Sequence, residues 1–315
     1  MDKINSDSPP KPCDYFDMIG GTGTGGLIAI MLGRLGMSVT ECITAYTDLC
    51  DRAFVTSGRP INMDQNVQGR LSSEELEKAI KAIVTGCGLP ENELLKDTKS
   101  ACKVFVCAFS KETSQPVCFT SYKSPRHIGD LVDITTIWQA CRATCASVPL
   151  FEPISIGPDN EQFIDCALGY NNPINIMWTE FQDAVERNNG GHRHPRLQCL
   201  VSIGSGSLGV EPVLDENSLL AMLRRISLQT DQTAETFQRN NATLRAEGRY
   251  YRFNVTHGLE RIGVEESSRR REVAAAARNY ISSDTVFEMI TRCVQSLTSS
   301  FVEDRIDHVA TIQYR

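Results

Sequence analysis

A run of glycines and threonines between two apolar segments constrains the fold of this chain more than any other feature. Residues 15–19 form a short apolar segment typical of a buried strand, and residues 27–35 are apolar on every side, as in a helix buried inside a domain. The sequence between them is Gly20-Gly21-Thr22-Gly23-Thr24-Gly25-Gly26. A strand, a tight turn and a buried helix in this order predict an α/β domain with the turn at a sheet edge.

Such a turn has two well-known uses, and a third interpretation is backbone geometry alone. In the nucleophile elbow, G-x-S-x-G, small residues flank a nucleophile held at a helix N-terminus. In the dinucleotide loop, G-x-G-x-x-G, glycines let the backbone approach a pyrophosphate, and Gly21, Gly23 and Gly26 match that spacing. That loop requires a second strand ending in an acidic residue about 20 residues on. Asp48 has the spacing, but it lies in a predicted helix.

The remaining chain alternates predicted strands and helices. Ser38 with Glu41, and Ser72 with Glu75, are capping boxes that predict helices over 39–54 and up to residue 86. Asp133 is predicted to cap a helix over 134–145. Further strands are predicted at 102–109, 117–122, 162–164, 197–203 and 250–255, and further helical pattern at 173–186, 219–237 and 273–301. We therefore expect a lead-in over 1–13 and a single domain over 14–315, with a mostly parallel sheet covered on both faces.

Composition excludes several classes of function. The net charge of −7 argues against a general nucleic-acid-binding surface. None of the 12 cysteines forms a C-x-x-C pair, so free, buried thiols in a reducing cytosol are expected. His192 and His194 have no cysteine or carboxylate at ligand spacing, so we expect no metal and no cofactor. No run of about 18 apolar residues is present, so no transmembrane segment is predicted.

Five segments resemble the patatin-like phospholipases, a family of lipid acyl hydrolases. Residues 14–27 closely resemble the family's elbow, above all in its fungal branch, which reads G-T-S-T-G-G and places serine at position 23. Residues 140–149 (A-C-R-A-T-C-A-S-V-P) are similar to the stretch A-R-A-T-S-A-A-P. The others follow in the family's order at 151–153, 163–173 and 200–206. Together they cover about residues 13–255.

The resemblance implies a three-layer α/β fold and a Ser–Asp dyad. In such a dyad the aspartate deprotonates the serine, which attacks a fatty-acyl ester, and water hydrolyses the acyl-enzyme. Amides of a glycine loop upstream of the elbow hold the oxyanion. By position, Asp165 matches the dyad base and Gly23 stands where the nucleophile is missing. The other elbow residues are Gly21, Thr22, Thr24 and Gly25.

Three departures from the family pattern affect the chemistry. Gly23 offers no oxygen to acylate, and the hydroxyls of Thr22 and Thr24 are expected to leave the elbow in other directions. Cys166 replaces the glycine that follows the dyad aspartate. No G-G-G-x-R-G loop precedes residue 13, so we expect a chain truncated at its N-terminus relative to the family. A neighbouring strand would then lack its partner and leave an exposed edge.

The leading hypothesis is a patatin-like lipid acyl hydrolase, acting in lipid degradation by family, with impaired or absent activity. The alternative is a non-catalytic pseudoenzyme that binds acyl lipids, and a remote alternative is a nucleotide-binding module. The expected partners are phospholipid or galactolipid acyl esters at a membrane interface, and nucleic acid is not expected. The expected location is the cytoplasm, with peripheral contact to membranes.

Overall fold

An eight-stranded sheet and eleven α-helices make up the described part of the chain. The computed structural model describes residues 1–53, 71–126, 129–148, 150–166, 169–188, 197–207, 219–259, 262, 269–298 and 308–312. The strands are β1 (Met18–Thr22), β2 (Lys103–Ser110), β3 (Gln115–Thr120), β4 (Ile154–Ile156), β5 (Glu161–Ile164), β6 (Cys199–Ile203), β7 (Tyr250–Phe253) and β8 (His308–Ile312). The helices are α1 (Pro12–Tyr15), α2 (Thr24–Ala29), α3 (Val39–Ala53), α4 (Ser73–Gly86), α5 (Leu131–Ile134), α6 (Ile137–Thr144), α7 (Ile174–Asn188), α8 (Leu219–Asn240), α9 (Ala242–Ala246), α10 (Arg270–Ile281) and α11 (Asp284–Thr298). A π-helical turn, Ile30–Arg34, continues α2.

The sheet combines a block of five parallel strands with antiparallel pairings on one side. Its hydrogen-bonded path runs β4-β5-β2-β1-β8-β6-β7, with β3 as an additional partner of β2. The strands β2, β1, β8, β6 and β7 are parallel to one another, whereas β3 and β5 are antiparallel to β2, and β4 is antiparallel to β5. The predicted mixed α/β architecture with a mostly parallel central sheet is confirmed.

Strand β2 shows how both faces of the sheet are covered. Successive side chains of a strand point to opposite faces. Val104, Val106 and Ala108 belong to a core cluster shared with α2, α3, α4 and α6. Phe105 and Cys107 belong to a second cluster, which includes residues of α7 and α8. Each face of β2 is thus buried under its own helical layer, which agrees with its nearly continuous apolar sequence.

Several predicted boundaries were wrong for identifiable reasons. The first strand begins at Met18, because Pro12 opens the short helix α1 over part of the apolar segment. The predicted helix over 134–145 is two helices, and Asp133 lies inside α5 instead of capping α6. The helical pattern over 273–301 is likewise two helices, α10 and α11, as far as the described residues extend. Strands β4 and β8 were not predicted.

The two edges of β1 are both occupied. Strand β2 pairs with one edge and β8 with the other, each in parallel register. The expected unpaired edge is therefore not found at β1.

A second expectation, the capping of α3, is confirmed: the Ser38 N–H donates to a carboxylate oxygen of Glu41, and the Glu41 N–H donates to the hydroxyl of Ser38. His192 and His194 lie outside the described residues.

The corrected start of α6 leads to a stability prediction. The Thr136 hydroxyl accepts from the N–H of Gln139, whose side chain accepts from the N–H of Thr136. We expect Thr136→Ala to lower the free energy of unfolding by about 1 kcal/mol, the usual effect of losing an N-cap. Asp133→Ala should change it by less than about 0.5 kcal/mol, because Asp133 is exposed and only ion-pairs with Lys96 at the surface. Urea unfolding of both variants measures the difference, and equal losses would contradict the assigned cap.

Candidate active site

The glycine turn has the backbone of a sharp strand-to-helix elbow. Gly23 directly follows β1 and is the N-cap of α2, with φ 57° and ψ −134°. This positive φ is strained for a residue with a side chain. The turn is also tight around its neighbours: a Cβ on Gly21 would lie 2.3 Å from the carbonyl oxygen of Gly25. A Cβ on Gly26 would lie 2.7 Å from Cγ2 of Thr144.

Strands β1 and β5 share one edge of β2. The backbone groups of a strand alternate between its two neighbours. The Ser121 N–H, from the chain after β3, donates to the carbonyl of Val104, so even-numbered residues of β2 face β3. The Lys103 N–H donates to Asp17 beside β1, and the Lys111 N–H donates to Gln162 of β5. Odd-numbered residues thus face both β1 and β5, which meet end to end along β2.

Gly23 and Asp165 both enter the gap between these two strands. Thr22, the last residue of β1, pairs with Cys107, and Ile164, the last residue of β5, pairs with Phe109. Two residues along a strand span about 7 Å. Because the strands run toward each other, the residues that follow them, Gly23 and Asp165, converge on this gap. The strands predicted at 15–19 and 162–164 place both residues shortly after strand ends, and the register adds that these ends face each other.

A short segment that starts at the last residue of α6 fills the gap. The Thr144 hydroxyl accepts from the Gly23 N–H at 2.9 Å and donates to the Cys107 carbonyl at 2.7 Å. Two residues on, the Ala146 carbonyl accepts from the Asp165 N–H at 3.1 Å. We call residues 144–146 the brace segment. Sequence reasoning assigned no role to Thr144; its only signal was its place in the A-R-A-T-like stretch.

The side chain of Asp165 is buried beside two thiols. Asp165 is 5% exposed. Burial raises the pKa of Cys145 well above the ordinary thiol value, and the nearby Cys141 and Asp165 add to the effect. Burial likewise raises the pKa of Cys166, with contributions from Cys118 and Asp165. The raised pKa values favour the protonated thiols at neutral pH, whereas the thiolate is the reactive form.

The two elbow threonines occupy different positions. Thr22 is buried within the pairing of β1 with β2, and Thr24 is the first residue of α2. Asp48 lies inside α3, so it does not end a second strand as the acidic residue of a dinucleotide site does. Within the described ranges, no cluster of three or more histidine, cysteine or acidic residues could hold a metal ion. No helix of that same part of the chain has the length and apolarity needed to span a bilayer.

Comparisons with known proteins point to one family. A family model described as "Patatin-like phospholipase" matches residues 9–178, which include the elbow, the brace segment and Asp165. "Phospholipase A I" of Arabidopsis thaliana is 26% identical over 251 residues, covering 62% of this chain and 18% of the relative. "Patatin-like protein 1" of the same plant is 24% identical over 216 residues, covering 62% and 50%.

One of the similar proteins is named as inactive. "Probable inactive patatin-like protein 9" of Arabidopsis thaliana is 26% identical over 175 residues, covering 51% of this chain and 42% of the relative. The chain therefore spans between about a fifth and a half of the length of these curated relatives. Among proteins of similar identity to this chain, one is thus named as a phospholipase and another as "Probable inactive".

Proposed function

The chain belongs to the patatin-like phospholipase family, and from that premise we propose that it is a lipid acyl hydrolase domain that has lost covalent catalysis. Gly23 stands at the nucleophile position, and Asp165 is the base of the former dyad. The observation that carries the proposal is the convergence of these two residues on the gap between β1 and β5. The site has the backbone of an elbow and a buried carboxylate, but residue 23 carries no side-chain hydroxyl.

The missing hydroxyl removes a defined chemical step. In a Ser–Asp dyad, the serine oxygen forms the bond to the acyl carbon while the aspartate takes its proton. Residue 23 of this chain has no side-chain oxygen to form that bond and no hydroxyl proton for the aspartate to accept. Asp165 could at best activate a water molecule, which lacks the covalent attachment by which an elbow positions its nucleophile. Hydrolysis through an acyl-enzyme is therefore closed to the chain as its sequence stands.

The proposal predicts no hydrolysis that depends on Asp165. The unmodified chain and its Asp165→Ala variant should cleave p-nitrophenyl butyrate and phosphatidylcholine vesicles at rates equal within about twofold, because neither has a covalent route. Mass spectrometry after treatment with a fluorophosphonate should show no adduct on the unmodified chain. Hydrolysis abolished by Asp165→Ala would reveal another nucleophile and overturn the proposal.

Binding of acyl lipids without turnover is a second candidate function. It is supported by the intact surroundings of the site: the elbow backbone, the brace segment and the buried Asp165 all persist around Gly23. An ether-linked phosphatidylcholine, which has no ester to cleave, separates binding from catalysis. Co-sedimentation with vesicles of this lipid, compared with vesicles of a galactolipid, tests both binding and head-group preference. No association with either vesicle would leave only the first proposal.

A further inference from the structure

One of the backbone hydrogen bonds, or rungs, expected between β1 and β2 is not formed directly. In a parallel pair, a residue donates to the residue before its partner and accepts from the residue after its partner. The bond from the Lys103 N–H to the Asp17 carbonyl follows this rule, since Lys103 pairs with Met18. Cys107 pairs with Thr22, so the same rule makes the Gly23 N–H the expected donor to the Cys107 carbonyl.

The Thr144 hydroxyl is inserted into that rung. Its oxygen accepts from the Gly23 N–H and its proton goes to the Cys107 carbonyl, so the hydroxyl bridges the two backbone groups. Thr144 is fully buried, and the absence of a side chain on Gly26 leaves room for its γ-methyl group. Residue 23 is thereby held away from β2 by one hydroxyl, at the point where the chain turns from strand to helix.

We propose that Thr144 is the positioning residue of the elbow: its inserted hydroxyl ends β1 at Thr22 and fixes where residue 23 stands relative to Asp165. The role of Thr144 in positioning residue 23 for catalysis rests on the proposed function. The inserted rung, in which its hydroxyl lies between the Gly23 N–H and the Cys107 carbonyl, does not. The rest of the brace segment strengthens the inference, because the Ala146 carbonyl holds the N–H of Asp165. The brace segment therefore hydrogen-bonds to the backbone of both Gly23 and Asp165.

Amide hydrogen exchange tests the inserted rung without any measurement of activity. Thr144→Val keeps the shape of the side chain and removes the hydroxyl, and Thr144→Ser keeps the hydroxyl. In Thr144→Val, the Gly23 amide should exchange roughly 5- to 150-fold faster than in the unmodified chain, the range expected when a buried N–H loses its partner. The Asp165 amide, bonded to Ala146, is the internal control and should change by less than about twofold. Thr144→Ser should match the unmodified chain.

Two further outcomes are informative. An unchanged Gly23 exchange rate in a folded Thr144→Val variant would overturn the inserted rung. Equal acceleration at Gly23 and Asp165 would also overturn it, because it would indicate general loosening. If Thr144→Val does not fold, Thr144→Cys takes its place, since a thiol is only a weak donor and acceptor. The same acceleration at Gly23 is then expected.

A second measurement addresses the positioning role. In a Gly23→Ser background, Thr144→Val should lower kcat for p-nitrophenyl butyrate at least about tenfold with little change in KM, and Thr144→Ser should restore it. Faster exchange of Gly23 without this loss of kcat would keep the inserted rung and overturn the positioning role. If Gly23→Ser itself shows no esterase activity, the proposed function fails, and the exchange result still decides the inserted rung.

Discussion

Gly23→Ser is expected to give the chain an esterase activity that depends entirely on Asp165. The substitution places a hydroxyl on an elbow whose backbone already turns as a nucleophile requires, opposite the end of β5. We expect hydrolysis of p-nitrophenyl butyrate at least about tenfold above that of the unmodified chain, falling back to its level in Gly23→Ser/Asp165→Ala. The gain should stay far below the factor of about 10⁶ that a nucleophile can contribute.

The modest size of the expected gain follows from the oxyanion donors. Gly23→Ser adds a nucleophile and no oxyanion donor, and donors aimed at the developing charge are usually the largest contribution to such catalysis. Loss of a single donor typically lowers the rate by about 10²–10³. Gly23→Ala is the matched control, because it introduces the same backbone strain without the hydroxyl. A folded Gly23→Ser variant no faster than Gly23→Ala would contradict the assignment of residue 23.

Gly21→Ala should destabilise the whole domain. Its Cβ would lie 2.3 Å from the Gly25 carbonyl oxygen and 2.7 Å from the Gly26 nitrogen, which are backbone atoms at the start of α2. Backbone atoms cannot rotate away as a flexible side chain can, so the elbow must open. Overpacking of this kind typically reduces stability by about 1–3 kcal/mol, and rigid surroundings place this site at the upper end. Urea unfolding monitored by circular dichroism measures the loss.

Gly86→Ala is the matched control for that experiment. Gly86 is the last residue of α4, and a Cβ added there would meet no atom within 4 Å. Alanine in place of glycine in a helix usually stabilises by about 0.5–1 kcal/mol. The same chemical change should therefore act in opposite directions at residues 21 and 86. A stability change at Gly21 as small as that at Gly86 would mean that the tight turn does not constrain the fold.

The sequence predicted the elbow because its signal is local. Small residues between an apolar strand and an apolar helix permit few other structures, and the conformation of Gly23 agrees with that prediction. The capping signals at Ser38 and Ser72 are equally local: each hydroxyl accepts from the N–H three residues on, and at Ser38 the reciprocal bond to Glu41 is also present. The start of α6 was wrong because Asp133 and Thr136 are both good caps three residues apart, and the choice between them depends on the surrounding structure.

The arrangement around the elbow required the three-dimensional structure. No local pattern indicates that β5 pairs with the same edge of β2 as β1, beyond the point where β1 ends. This arrangement depends on pairing between residues more than 50 positions apart. The inserted hydroxyl of Thr144 is bonded to groups 121 and 37 residues away. Strand β8 was missed for a similar reason: its five residues follow a long helical region, and its place beside β1 is set by long-range pairing.

The conformation of Gly23 has a consequence for the history of the site. An elbow with serine at this position holds a non-glycine residue at positive φ, which stores roughly 1–3 kcal/mol of strain. Glycine releases that strain, so under the proposed function an exchange of the serine nucleophile for glycine would also relax the fold. A mutation back to serine must restore the strain before any catalysis exists to favour it. Folding stability therefore favours the loss of the nucleophile in such an elbow and opposes its return.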